Sequence, residues 1–345
     1  MMETAETGSV PVETTAHWDV LAYDTHLGFR TGVGFADLCA LLGDGDARVW
    51  LDISNPTEED AARLREAFDF HPLAIEDVLH SHQRPKIDQY SGHAFLVLYA
   101  AHFTDDHQCE LSEIGAFVGR NYLVTVHRTA VQEIETARHR WRAAIEEPPL
   151  GTNGHNGATD LALYVLFDSV VDAYFPMLDD VAEQLDSIED RIFAHINDVD
   201  ALPELVRLRK HLMNLRRVFA PMRDVVNTLA RRESDGGPTA TSLYFLDVYD
   251  HLARAIDGVD VYRDMVSTTL TAQVSIASHR LNETMRTMTA LATILMTMAL
   301  VTGIYGMNFD VMPELKWQYG YLWGLGAMVL AGGTVAWIFR RLRWL

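Results

Sequence analysis

Hydrophobic and polar residues follow different periods in different parts of this chain. Between residues 48 and 128 the apolar residues come in short runs: RVWLDI, HAFLVLYAAHF, SEIGAFVG and YLVTVHR. Runs of this length, rich in β-branched and aromatic side chains, predict successive strands. After the first of them, NPTEEDAARLREAF supplies a turn, a proline at a helix start and acids in the first turn, so a helix follows. A second helix is expected from Ala130 to Glu147, and EEPPLGTNGHNGAT, dense in Pro, Gly and Asn, reads as a linker. Beyond it the apolar spacing becomes helical. One helix is predicted from Asp160 to Ile196, a second over LPELVRLRKHLMNLRRVFAPMRDVVNTLARR, and the two pair as an antiparallel hairpin. ESDGGPTAT then breaks the pattern. From about Ser242 no proline occurs until Pro313, which predicts one helix of about 60 residues, ~90 Å at a rise of ~1.5 Å per residue.

The end of the chain has no polar face. Thr287 to Phe309 and Gln318 to Phe339 contain no Asp, Glu, Lys or Arg, and each is long enough to cross a hydrocarbon core of ~30 Å. A buried soluble hairpin is the competing reading, but it needs a partner core that the sequence does not supply. Arg280 and Arg286 precede the first run, and Arg340, Arg341 and Arg343 follow the second. Both flanks, and with them both termini, are therefore expected in the cytoplasm. The expected organisation is a disordered tail (1–16), a cytosolic α/β domain (17–150) and a helical hairpin (151–235). A stalk helix running into the first span (240–309), an extracytoplasmic loop (310–317), and a second span with a basic tail (318–345) complete it.

Charge sharpens this picture. The 345 residues hold 48 acids and 28 bases. Every acid lies at or before Glu314, while Lys316 and the three terminal arginines are the bases beyond it. So acidic a body disfavours nucleic acid and anionic lipid as partners, whereas divalent cations suit clustered carboxylates. Cys39 and Cys109 form no disulfide framework or paired zinc spacing and read as small core residues. The N-terminus has no basic region leading into an apolar run, so no signal peptide is expected. There is no phosphate-binding glycine loop, H-E-x-x-H or nucleophile elbow, so an enzyme anchored by two helices finds no support.

Two helices cannot enclose an aqueous path, so conduction would need several copies around an axis. Stepping back from Asn308, first by five and then by threes and fours, gives Gly303, Ala299, Met296, Ala292, Met288, Met285 and Asn282, a small or flexible stripe with an asparagine at each end. A plain helix-packing face would look similar. Gly320, Gly324, Gly332 and Gly333 on the second span are candidate close-packing positions. In YGMN, Gly306 is expected to end the helix, and Asn308 offers a neutral carbonyl oxygen where charge is otherwise absent. A ring of such amides with backbone carbonyls suits Mg²⁺, which dehydrates reluctantly and can be recognised through its waters. Asp310 and Glu314 outside would concentrate cations.

At these residues a family resemblance emerges. YGMNF with the following MPEL resembles the signature of the CorA family of magnesium transporters, and NETMRTMTALATI, HPLAIEDVLHSHQRPKID and YFLDVYDHL also resemble family segments. The resemblance implies an α+β membrane protein: a funnel-shaped homopentamer in a bacterial or archaeal plasma membrane, with a cytosolic α/β domain and a stalk helix continuing into the first span. It implies that Gly306, Met307 and Asn308 form a filter for hydrated Mg²⁺, with Co²⁺ or Ni²⁺ able to follow. Inner constrictions fall at Met285, Met288 and Met296, with Asn282 at the cytosolic mouth. It further implies intracellular Mg²⁺ sensing between subunits, by Asp77 with Asp247 as the primary pair and by Glu76 with Asp168 or Asp172 as a second site. Read by themselves, Asp77 is a helix cap, Asp247 lies on a solvated face, and the acids from Asp168 to Asp190 form another. His71, His80 and His82 read as structural.

Two positions depart from the family pattern. Thr271 stands where some members place an acidic ring in the stalk, and Thr297 where a proline often interrupts the first span. A zinc transporter of the same architecture is the alternative. Such proteins usually carry Gly-Val-Asn, so Met307 favours magnesium.

Overall fold

The apolar runs assemble into a seven-stranded mixed sheet. In the computed structural model the strands are β1 (His17–Asp24), β2 (Gly28–Thr31), β3 (Arg48–Ser54), β4 (Lys86–Gln89), β5 (Ala94–Phe103), β6 (Cys109–Val118) and β7 (Tyr122–His127). Their order is β2-β1-β3-β7-β6-β5-β4. β3 and β7 run parallel, with Trp50 beside Leu123 and Asp52 beside Thr125. Every other neighbouring pair is antiparallel. The first eight residues of β5 are all buried; a strand covered on both faces has no need of polar alternation, which is why HAFLVLYAAHF reads as one apolar run. The structure describes residues 17–24, 26–43, 45–104, 108–146, 158–194, 201–231, 233–234, 237–238, 240–307 and 317–344. The expected tail, most of the linker and most of the 310–317 loop lie outside them.

Helices α1 (Phe35–Gly43), α2 (Glu58–Phe68), α3 (Pro72–Leu79) and α4 (Gln132–Glu146) accompany the sheet. α2 starts with a capping box: Thr57 and Asp60 satisfy each other's backbone N–H groups, removing two of the orphan donors of a helix start. Asp60 also accepts from the Trp18 indole at 2.8 Å, tying the helix to β1. The histidines near α3 are structural. His71 caps its N-terminus through Nδ1 to the Leu73 N–H at 3.3 Å, and His80 closes its C-terminus on the Glu76 carbonyl.

The predicted helix from Asp160 to Ile196 is two helices, α5 (Ala158–Asp172) and α6 (Tyr174–Ala194), broken at Ala173. Tyr174, fully buried, stacks on Phe219 at 4.0 Å and donates its hydroxyl to the Tyr99 carbonyl, so the break sits against the core. The segment Thr159–Ile192 is apolar enough to cross a membrane, yet 67% of its most apolar window is buried inside the protein. It is a core element. α7 (Ala201–Ala230) follows, then the short pair β8 (Glu233–Ser234) and β9 (Gly237–Pro238).

α8 (Ala240–Tyr305) is one uninterrupted helix of 66 residues, and α9 (Gly320–Arg341) is the last element. In these two the corresponding windows are only 6% buried. The chain divides into two compact units, 1–267 and 268–345. In the first, α8 contributes Phe245, Val248, Leu252, Ala255, Ile256 and Val259 to the core. In the second, α8 packs against α9. At Thr297 the helix continues, its hydroxyl donating to the Thr293 carbonyl at 2.8 Å; Thr293, Thr302 and Thr334 bond back one turn in the same way. Of the two cysteines, Cys109 is half-buried, but Cys39 is exposed: it occupies the outward side of α1, whose inward side carries Leu38 and Leu41.

Candidate functional site

The membrane-facing unit sorts the residues of α8 by side. A Cβ placed on Gly332 of α9 would lie 3.1 Å from Met298 Cγ and 3.9 Å from Ile294 Cγ2, and one on Gly324 would lie 3.9 Å from the Tyr305 ring. Ile294, Met298 and Tyr305 therefore form the side of α8 that meets α9. Gly333, expected at the same contact, instead faces open space. At roughly 100° per residue, Ala292, Met296, Ala299 and Gly303 lie nearly opposite that contact. All four are exposed, Met296 at 72%, and so are Asn282, Met285 and Met288 nearer the start of the unit. The stripe singled out in the sequence is thus the side of α8 that its own second span leaves uncovered.

Gly306 ends the helix. Its N–H lies 3.0 Å from the Thr302 carbonyl and 3.2 Å from that of Gly303, and the Met307 N–H reaches the Ile304 carbonyl at 3.3 Å. The last turn tightens from i→i−4 to i→i−3 bonding, one way in which a helix end satisfies its carbonyls. Met307 is exposed. Asn308, Asp310 and Glu314 lie outside the described residues.

A second cluster lies in the first unit, where α5 meets the beginning of α8. Asp168, Asp172 and His251 each offer a ligand atom within 4.8 Å of the others. His251 Nδ1 lies 3.6 Å from Asp172 Oδ1, and its Nε2 lies 3.9 Å from Asp247 Oδ1. Burial first, then the charges of Asp168, Asp247 and Asp172, push the nearby Tyr164 hydroxyl up to about 12. Asp168 contradicts its reading as part of a solvated face: its side chain is 6% exposed and ion-paired with Arg140 of α4. Burial pushes its carboxyl up, against the downward pull of the Arg140 hydrogen bond and charge. Asp172, exposed, meets the same guanidinium only at 3.6 Å. Of the two candidates from α5, Asp172 is the carboxylate free enough to take a cation.

Asp77 stands apart from this cluster. Its carboxylate accepts from Lys86 Nζ at 2.7 Å, and the same ammonium reaches Asp88 at 2.9 Å. Glu76, next to it, is exposed. Asp77, Glu76, Asp172 and Asp247 offer only oxygen donors, the set that Mg²⁺ takes, and among the described residues His251 adds an imidazole nitrogen beside Asp172 and Asp247. Sequence reasoning missed Arg140, Lys86 and His251. His251 was legible, four residues after Asp247 and so on the same helix face; Lys86 lies in the quoted HSHQRPKID run, and nothing in the sequence marks Arg140.

The family model described as "CorA-like Mg2+ transporter protein" matches residues 45–341. YfjQ of Bacillus subtilis is 36% identical over 293 residues, covering 85% of this chain and 88% of that protein. The cobalt/magnesium transport protein CorA of Thermotoga maritima is 31% identical over 308 residues, covering 88% and 85%. The solved structure of the CorA magnesium transporter from Methanocaldococcus jannaschii superposes with a TM-score of 0.79 at 21% identity, over 94% of this chain and 98% of that one. This last likeness concerns the fold.

Proposed function

This chain belongs to the CorA-like Mg²⁺ transporter family, and from that premise we propose that it passes hydrated Mg²⁺, and Co²⁺ behind it, through a pore formed by several copies of itself. The exposed stripe from Asn282 to Gly303, opposite the α9 contact, is the observation that supports this reading. In a homopentamer those sides of α8 would face a common axis and α9 would face lipid. Small and flexible side chains there leave room for an ion with its first water shell.

Gly306, Met307 and Asn308 would form the outer filter. An amide ring accepts hydrogen bonds from the ion's waters without the hold of a carboxylate ring. Asp310 and Glu314 would raise the local cation concentration outside, and both termini would lie in the cytoplasm of a bacterial or archaeal cell. Intracellular Mg²⁺ would regulate the pore by bridging Asp77 of one copy to Asp247 of the next, with Glu76 and Asp172 as a second pair. An acidic chain repeated around an axis repels itself, and bound divalent ions relieve that repulsion.

Liposome reconstitution with a Mg²⁺-sensitive dye tests the pore. Wild-type protein should carry Mg²⁺ and Asn308→Ala should lose most of that flux; no wild-type flux, or full flux in the variant, refutes the reading. Zn²⁺ flux in a parallel pH-gradient assay, with none for Mg²⁺, would instead support a zinc transporter of the same architecture.

A further inference from the structure

Lys86 holds Asp77 in a way that bears on regulation, given the reading above that Asp77 is a regulatory ligand. The Lys86 ammonium on β4 sits between two carboxylates, 2.7 Å from Asp77 Oδ2 and 2.9 Å from Asp88 Oδ2. It also lies 5.8 Å from the centre of the Phe95 ring. A lysine ammonium, which ordinarily loses its proton only near ~10.4, is a cation throughout the physiological range. A divalent ion cannot take the Asp77 oxygen that Lys86 occupies while the ammonium remains there.

We infer that Lys86 is a resident counter-cation that competes with Mg²⁺ for Asp77, and that Asp88 is the carboxylate onto which it retreats when Mg²⁺ binds. Because Asp88 is already within hydrogen-bond distance, the displaced ammonium keeps a partner and the exchange strands no charge. Both ends of the pair are partly solvated, Lys86 at 33% and Asp77 at 22% exposure, so the contact is of the weak, reversible kind. The Arg140–Asp168 pair is the contrast: its carboxylate is 6% exposed, and breaking such a pair leaves a buried charge. Asp77 is thus held by an exchangeable cation and Asp168 by a fixed one. The Lys86–Asp88 arrangement sets the Mg²⁺ concentration at which sensing begins.

The test is Mg²⁺-dependent protection of the detergent-solubilised full chain from protease. Lys86→Gln and Lys86→Met should each lower the protection midpoint about two- to fivefold, the span of one partly exposed ion pair. Asp88→Asn should raise it by removing the retreat. In the Lys86→Gln background Asp88→Asn should have little further effect, because no ammonium is left to retreat; this non-additivity separates the exchange from a general change in charge. A midpoint unchanged or raised in both lysine variants overturns the inference, as does an Asp88→Asn effect of equal size in both backgrounds. The underlying reading fails separately: the wild type would then show no Mg²⁺ protection, or the Asp77→Ala, Asp247→Ala double variant would respond as the wild type does.

Discussion

Replacing Arg140 by glutamine removes the guanidinium that compensates Asp168. In the folded chain the Asp168 side chain is 6% exposed and that of Arg140 is 41% exposed. Arg140 also donates to Ser169 Oγ at 3.2 Å. Removing one partner of a fully buried pair costs about 3–5 kcal/mol because the remaining charge has no water. With one partner partly solvated, a loss of about 2–3 kcal/mol is expected, and at about 1.4 °C per kcal/mol for a chain of 345 residues the thermal midpoint should fall by about 3–4 °C. The loss should depend on pH. Without Arg140 only the smaller influence of His251 opposes the upward push of burial on Asp168. Its folded-state pKa, already raised in the wild type, rises further above the unfolded value, and the folded state binds the extra proton more tightly. Stability conferred by a raised carboxylate pKa falls as pH rises, so the variant should approach wild type near pH 4 and diverge from it toward pH 7. Thermal melts of the full chain in detergent, with Asp168→Asn added as a second change, measure both effects. The double variant should recover much of the loss. A single-variant loss below about 0.5 kcal/mol at pH 7, or no recovery in the double variant, refutes the assignment of Asp168 as a buried, Arg140-dependent charge.

His127 and the α8–α9 contact give two further outcomes. The His127 ring is buried with Nε2 3.1 Å from Asp52 Oδ2 and Nδ1 2.6 Å from the Thr129 carbonyl. Burial pulls its pKa down, but the hydrogen bond and charge of Asp52 and the Thr129 carbonyl outweigh this and raise it. Its contribution to stability is complete below the ordinary histidine value of ~6.5 and is lost as pH rises through the raised folded value, so the thermal advantage of wild type over Asp52→Asn should shrink between pH 6 and pH 9. In the membrane unit, Gly332→Leu should cost about 1–3 kcal/mol by overpacking, since even a Cβ there meets Met298 at 3.1 Å. Gly333→Leu, facing open space, should melt as wild type does in the same detergent; equal effects at the two positions would refute the contact.

What could be read in advance depended on how local the determining physics is. The two spans announce themselves because each lacks charge over its own length, and α8 because no proline interrupts it. β3, β5, β6 and β7 are composed as buried strands. The β1–β2 hairpin has no such local signature, for HWDVLAYD mixes polar and apolar residues as a strand near the sheet edge does, with burial falling unevenly along it. The parallel pairing of β3 with β7 joins residues more than 70 apart in sequence, which no local pattern encodes. The apolar run at Thr159–Ile192 predicted helix but not its break, because Ala173 is an ordinary helix former and the interruption answers to the packing of Tyr174. The stripe on α8 was legible as a period, whereas its position opposite α9 required Gly332 and Met298 to meet. Arg140 lies 28 residues from Asp168, so the burial of that carboxylate followed from no helical repeat.

The threonine hydroxyls of α8 carry a mechanical consequence. Thr293, Thr297 and Thr302 each donate to a carbonyl one turn earlier, and such shared carbonyls loosen the i→i−4 ladder and favour bending. A proline would place the flexure at one joint by deleting a bond and inserting a ring. Here the same compliance is spread over about three turns with no bond missing. The first span is therefore a graded spring rather than a hinge, able to change curvature without exposing an unpaired backbone group to lipid.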